Sequence, residues 1–185
     1  MDLVAHVKAM LTTPRSEWLV IAHEPGDPSF LFTNYVAKLA IIPAVAQFIG
    51  MSLIGGYVPL FSGLFGAVFA YVLTFVMVYL IAVAVDAMAQ TFGGQRDFGN
   101  ALKLVVYSFT PSWLAGIFLV IPALSWLAIL GVYGLYMMWV GLPIMMRAPP
   151  QRNALYLAAI FAVTLLLSLI VAFIQIALFG MPRVR

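Results

Sequence analysis

Few side chains in this 185-residue chain can do chemistry, and the densest group of them is His23-Glu24-Pro25-Gly26-Asp27. An imidazole and two carboxylates are metal ligands by type. Pro25 and Pro28, however, give the segment the character of a turn, and the only other histidine, His6, stands at no ligand spacing from it. The absence of cysteine excludes disulfides, thiolate metal sites and cysteine nucleophiles. There is no Gly-x-Ser-x-Gly elbow, no phosphate-binding glycine loop and no deep acid pair. The inventory predicts a protein that is not an enzyme, with no catalytic residue, cofactor or metal.

A second group consists of polar residues set in apolar surroundings. Tyr79, Val83, Asp86 and Gln90 share one face on a helical wheel. An acid in an apolar helix is a candidate for proton or ion handling. Counting the ~20 residues that cross a bilayer from Leu60 puts Asp86 at or beyond the headgroups, where Arg96 or Lys103 can pair with it. A structural ion pair is therefore the expected role. Thr164, Ser168 and Gln175 share another helical face, and Gln47 stands in a further apolar run. An unpaired amide in hydrocarbon costs several kcal/mol, so these residues are expected to face other helices. The same geometry leaves one alternative: a small-solute or ion path lined by Gln47, Tyr79 and Gln175.

The elements that position these residues are membrane helices. No charged side chain occurs between Lys103 and Arg147. As one helix at ~1.5 Å per residue, that run would be roughly twice as long as a bilayer core is thick, so it must fold back, with Pro122 at the bend. Hydrophobic residues make up 65%, charged residues 8%, and the mean hydropathy is +1.11, outside the range of soluble domains. The net charge of +3 is too small to imply nucleic acid and fits a bilayer interface instead.

The expected fold is all-α: one membrane domain, 1–185, with five transmembrane helices near 36–56, 60–90, 101–121, 123–146 and 154–179. Gly55-Gly56-Tyr57-Val58-Pro59, Gly93-Gly94, Pro122 and Pro149-Pro150 mark the breaks. Lys8, Arg15 and Lys38 accompany the N-terminal segment. Arg96 and Lys103 follow the second span, and Arg147 and Arg152 follow the fourth; the two remaining loops are uncharged. By the positive-inside rule the N-terminus is cytoplasmic and the C-terminus outside, with Arg183 and Arg185 as an exception. Asp2, His6 and Lys8 make the N-terminus unlike a signal peptide, so the first span is expected to stay in the mature protein.

Residues 1–35 are expected to form short helices lying in the cytoplasmic interface. Leu3, Val4, Val7, Met10 and Leu11 define one face, Thr13-Pro14 reads as a capped helix start, and Trp18 and Ile21 share a second face. Ser62, Gly66 and Ala70, and likewise Gly131, Gly134 and Gly141, form small-residue faces for close packing. Pro43, Pro111 and Pro143 are expected to kink or unwind their helices. No internal repeat is visible.

Three segments together carry a family resemblance. They are Pro14-Arg15-Ser16-Glu17-Trp18-Leu19-Val20-Ile21-Ala22-His23-Glu24, Tyr107-Ser108-Phe109-Thr110-Pro111-Ser112-Trp113-Leu114-Ala115-Gly116-Ile117, and Gly131-Val132-Tyr133-Gly134-Leu135-Tyr136 with Val140-Gly141-Leu142-Pro143. In order and layout they resemble the Yip family (Ypt-interacting proteins), most closely its short bacterial members. Tyr107, Pro111, Tyr133, Gly134 and Gly141 match the shared positions. The resemblance implies five helices and a cytoplasmic N-terminus, and in eukaryotic members a role in membrane traffic with Rab-type GTPases. The Asp-Leu-Tyr-Gly-Pro motif of those members is not in this chain. The expectation is a non-enzymatic bacterial inner-membrane protein that organises or binds other membrane components: lipids, a second copy, or another membrane protein.

Overall fold

The computed structural model describes residues 3–179. Two short helices, α1 (Leu3–Thr12) and α2 (Pro14–His23), form a hairpin. Five helices long and apolar enough to cross a membrane follow among the described residues: Pro28–Ile54, Leu60–Met88, Phe98–Val120, Pro122–Met145 and Pro150–Leu178. The third and fourth, expected as two arms of one folded run, are each long enough to cross. The basic residues near the C-termini, Arg183 and Arg185, lie outside the described residues.

The first span starts at Pro28 rather than near residue 36, for a local reason. Asp27 accepts a hydrogen bond from the Ser29 N–H at 3.0 Å and Pro28 takes the first helical position, so Phe30, Phe32 and Tyr35 are already helical. Asp97 starts the third span in the same way, accepting from the Asn100 N–H at 3.0 Å. The fifth starts at Pro150, again with proline at a position whose N–H needs no partner. After the second span, Gly93 takes a φ of 79°, the left-handed turn residue that follows many helix ends.

Several spans depart from α geometry. The first contains π-helical stretches at Phe32–Val36 and Ile49–Ile54. The third breaks at Phe109, resumes as Thr110–Ala115, and ends as a 3-10 helix over Gly116–Val120. The fourth begins with an 11-residue 3-10 helix, Pro122–Val132, before its α-helical part, Tyr133–Met145. Of the three expected proline kinks, only Pro111 sits at a helix break. Pro43 and Pro143 lie inside continuous α segments, because each removes a single backbone donor and neighbouring turns hold the helix.

The third span is the centre of the bundle. Residues 101–108 are buried on every side, whereas the fifth span is almost wholly exposed to where lipid lies. Close approach of the fourth span depends on its glycine face. A Cβ at Gly134 would come within 2.3 Å of the Ser108 carbonyl oxygen, and one at Gly131 within 2.9 Å of Ser112 Cα. Gly141 opposes Leu104 and Trp18. The second span's Gly66 has nothing within 4 Å, so its small-residue stripe makes no comparable contact within the chain.

Candidate functional site

The polar side chains gather at one end of the bundle, around Tyr107. α1 and α2 pack on the bundle, α2 along the fourth span, with Met10, Trp18 and Ile21 fully buried. Trp18 donates its indole N–H to the Met137 carbonyl at 3.0 Å, and the Tyr133 hydroxyl donates to the Leu11 carbonyl at 3.2 Å. An indole is large and apolar with one donor, so burial with that donor satisfied makes it an anchor. Thr13 precedes α2 but does not cap it: its hydroxyl donates back to the Ala9 carbonyl at 3.2 Å. Pro14 holds the first helical position as its chemistry requires. Val4, on the same apolar face of α1 as Met10, is exposed.

Beneath the hairpin, Tyr107 is packed edge-on by Tyr35 (ring centroids 4.7 Å apart) and Trp18 (6.3 Å), with the His6 ring 5.5 Å away. The Tyr35 hydroxyl shares a 2.8 Å hydrogen bond with Thr110. His6 lies between two carboxylates, with Nδ1 3.3 Å from Glu17 and Nε2 3.6 Å from Glu24. The Tyr107 hydroxyl points to Glu24 at 3.4 Å. Lys103, almost fully buried, donates to the carbonyls of Ile21 and Glu24 at 2.9 and 2.8 Å. Those carbonyls end α2, where Ile21 also accepts from the Glu24 N–H at 3.1 Å, so the ammonium reinforces the helix end while its own charge is solvated by dipoles. The cluster thus ties the N-terminal hairpin to the third and fourth spans.

Asp86 meets Arg96 from the following loop: Arg96 Nε and Nη2 donate to Oδ2 at 3.1 and 2.9 Å. Lys103, the other partner considered for Asp86, is committed to α2 instead. Nearby, the loops after the second and fourth spans interlock. Gln95 N–H donates to the Met146 carbonyl at 2.8 Å, and Arg147 donates to the Gln95 side chain at 2.8 Å. Arg152 reaches the Thr91 carbonyl, and the Tyr156 hydroxyl donates to the Val85 carbonyl.

The remaining sequence candidates do not join this cluster. Pro111 is buried next to Thr110, at the start of the helix that resumes after Phe109. Tyr79 is half exposed, its ring edge-on to Phe98 at 5.5 Å. Gln47, expected to face a helix, is exposed. Ala46 and Gly50 beside it are buried, so Gln47 lies on the outer side of its helix at this level. Gln175 is partly buried near the far end of the fifth span, Ser168 is exposed, and Thr164 is partly buried. Gln47 and Tyr79 are exposed, and Gln175 is partly buried. The His23, Glu24 and Asp27 side chains part company as well: His23 bonds the Leu19 carbonyl, Asp27 caps the first span, and Glu24 turns to His6 and Tyr107.

Sequence reasoning missed His6, Glu17, Tyr35, Lys103 and Thr110 as one cluster. The available signal was a lysine placed a turn inside an apolar helix, which demands a buried acceptor. Its acceptors are backbone carbonyls of α2, and no residue pattern reports those.

Five apolar helices with an N-terminal hairpin docked on them define an all-α polytopic membrane protein. The family follows from the sequence match: the Yip1 domain profile covers residues 8–173, and the chain belongs to that family. It is similar to the inner membrane protein YohC of Escherichia coli strain K12, 23% identical over 189 aligned residues that cover 96% of this chain and 97% of the relative. YohC of Escherichia coli O6:H1 strain CFT073 matches to the same extent. No solved structure matches.

Proposed function

We propose that this chain is a non-enzymatic protein of the bacterial inner membrane that organises or binds other membrane components through its surfaces. The hairpin and basic loops would lie on the cytoplasmic side, with the C-terminus outside. The observation that carries the reading is the docked hairpin. Trp18, Ile21, Tyr35 and Tyr107 fill the bundle at its charged end, each fully buried, which leaves a surface rather than a passage for function. The outward face of the hairpin holds exposed Val4, Leu19 and Val20 beside Lys8 and Arg15. A mixed apolar and basic face suits the headgroup region and partners seated there. The inner-membrane location rests on the similarity to YohC, and the orientation on the charge bias of the loops.

The test is site-specific photo-cross-linking in cells from Leu19 and Val20, with native mass spectrometry of the protein released from lipid. Discrete protein adducts, or a dimer, are expected. Monomers only, with no protein adduct from either position, would falsify the organising role.

A further inference from the structure

The interlocked loops after the second and fourth spans carry three exposed arginines, and these are not spent alike. Arg96 is paired with Asp86. Arg147 gives one N–H to the neutral side chain of Gln95 at 2.8 Å, and Arg152 gives one to the Thr91 carbonyl at 3.2 Å. Among the described residues, the ion pairs of the chain include neither of these two. The other acid of this region, Asp97, is bonded by the backbone and side-chain N–H groups of Asn100, each at 3.0 Å. Each guanidinium has several further N–H donors, which remain for another acceptor.

The backbone seats both side chains on one loop. The Gln95 N–H donates to the Met146 carbonyl, and a Cβ at Gly93 would lie 3.2 Å from Pro149 Cγ and 3.9 Å from Arg152 Cδ. Both arginines also stand where local structure disfavours them. Arg147 follows the end of the fourth span with a φ of 52°, the left-handed conformation usually left to glycine or asparagine. Among the described residues it is the one non-glycine with positive φ. Glycine would be free of that backbone cost, so the side chain is what the position keeps. Arg152 lies in the first turn of the fifth span, where the helix dipole opposes a cation. An anion between the two guanidiniums would offset both costs.

We propose that Arg147 and Arg152 bind the phosphate of an anionic phospholipid, with an acyl chain running past exposed Leu155 along the lipid-facing fifth span. The planar guanidinium fork matches phosphate oxygens, and paired arginines select a headgroup with net negative charge. The site stands where the fifth span enters the bilayer, at headgroup level, so a lipid supplies phosphate and apolar chain together. The proposal rests on the reading above, that the chain binds membrane components through its surfaces, and names one component and its place. It involves neither Leu19 nor Val20, so its failure and a failure of the hairpin cross-linking are separately visible.

The experiment presents the full-length protein in mixed micelles with equal amounts of phosphatidylglycerol and phosphatidylcholine of the same acyl chains, and reads retained lipid by native mass spectrometry. One arginine near an anionic surface is worth roughly fivefold, so wild type is expected to favour phosphatidylglycerol by roughly thirtyfold. Arg147→Gly relaxes the backbone as it removes the side chain. It should lower the preference roughly fivefold while resistance to SDS unfolding holds or rises. Arg152→Gln alone should cost a similar factor. Arg147→Gly with Arg152→Gln should abolish the preference, whereas Lys8→Gln with Arg15→Gln, which removes the same charge from the hairpin, should leave it within about twofold. Equal losses in the two double variants would mean diffuse charge and overturn the proposal, as would equal retention of both lipids by wild type. Displacement of phosphatidylglycerol by glycerol 3-phosphate also overturns it, in favour of a soluble phosphate. So does a protein adduct from a photo-cross-linker at Gln151 without any lipid preference, which would assign the arginines to an acidic partner.

Discussion

The two ends of this bundle are held together by different means. At the charged end, polar side chains add to the backbone contacts: Trp18 to Met137, Lys103 to the end of α2, Asp86 to Arg96, Tyr156 to Val85. At the uncharged end, backbones meet directly. A Cβ at Gly50 would fall 2.0 Å from the Leu119 carbonyl oxygen, and one at Gly116 would lie 2.5 Å from Pro43 Cβ. Between lipid-embedded helices there is no hydrophobic driving force, so association rests on close packing and hydrogen bonds. Polar side chains can be used where they reach water or helix ends; elsewhere small residues must serve.

Trp18→Ala attacks the side-chain end and carries the largest expected effect, about 3–5 kcal/mol from the lost aromatic packing. Unfolding by SDS in mixed micelles should show the drop, and limited proteolysis should now cut within α1 and α2. A hairpin that stays protected would mean Met10 and Ile21 suffice to dock it.

Gly134→Ala attacks the backbone contact opposite Ser108 and should cost about 1–3 kcal/mol, since helix backbones must separate to admit the methyl group. Its control is Gly66→Ala, which meets nothing within 4 Å and is expected to be neutral or stabilising. Equal losses at both positions would place a partner on the second span and erase the distinction drawn between the two stripes.

Asp86→Asn should lower stability by only about 1 kcal/mol, because Arg96 is more than half exposed and water can replace the pair. A much larger loss, or altered proton flux in reconstituted vesicles, would return Asp86 to the candidates for ion handling. The smallest effect is expected for Gln47→Leu. The exposed amide faces lipid, so stability should hold within about 0.5 kcal/mol, and solute flux into proteoliposomes should equal that of wild type. Loss of flux with the fold intact would instead support a solute path.

Much of the fold was legible because it follows from local rules. Apolar runs of spanning length, with proline and glycine at their ends, marked five helices, and Asp27-Pro28 and Asp97 show the start signals that moved two boundaries. The glycine face of the fourth span was legible as a packing face, since Gly131, Gly134 and Gly141 repeat at helical spacing. The polar stripes were less so. A helical wheel states which residues share a face but not whether that face meets protein or lipid, and Gln47 shows the difference.

From sequence alone came the membrane itself, the number of crossings, the charge bias of the loops and the family-like motifs, because each depends on composition or spacing along one chain. Only the tertiary structure decided that α1 and α2 plug the bundle, that Lys103 belongs to α2 rather than Asp86, and that Arg147 and Arg152 share one loop. Those facts depend on which backbone carbonyls and which neighbouring helices stand within hydrogen-bond reach, and positions far apart in the chain determine that.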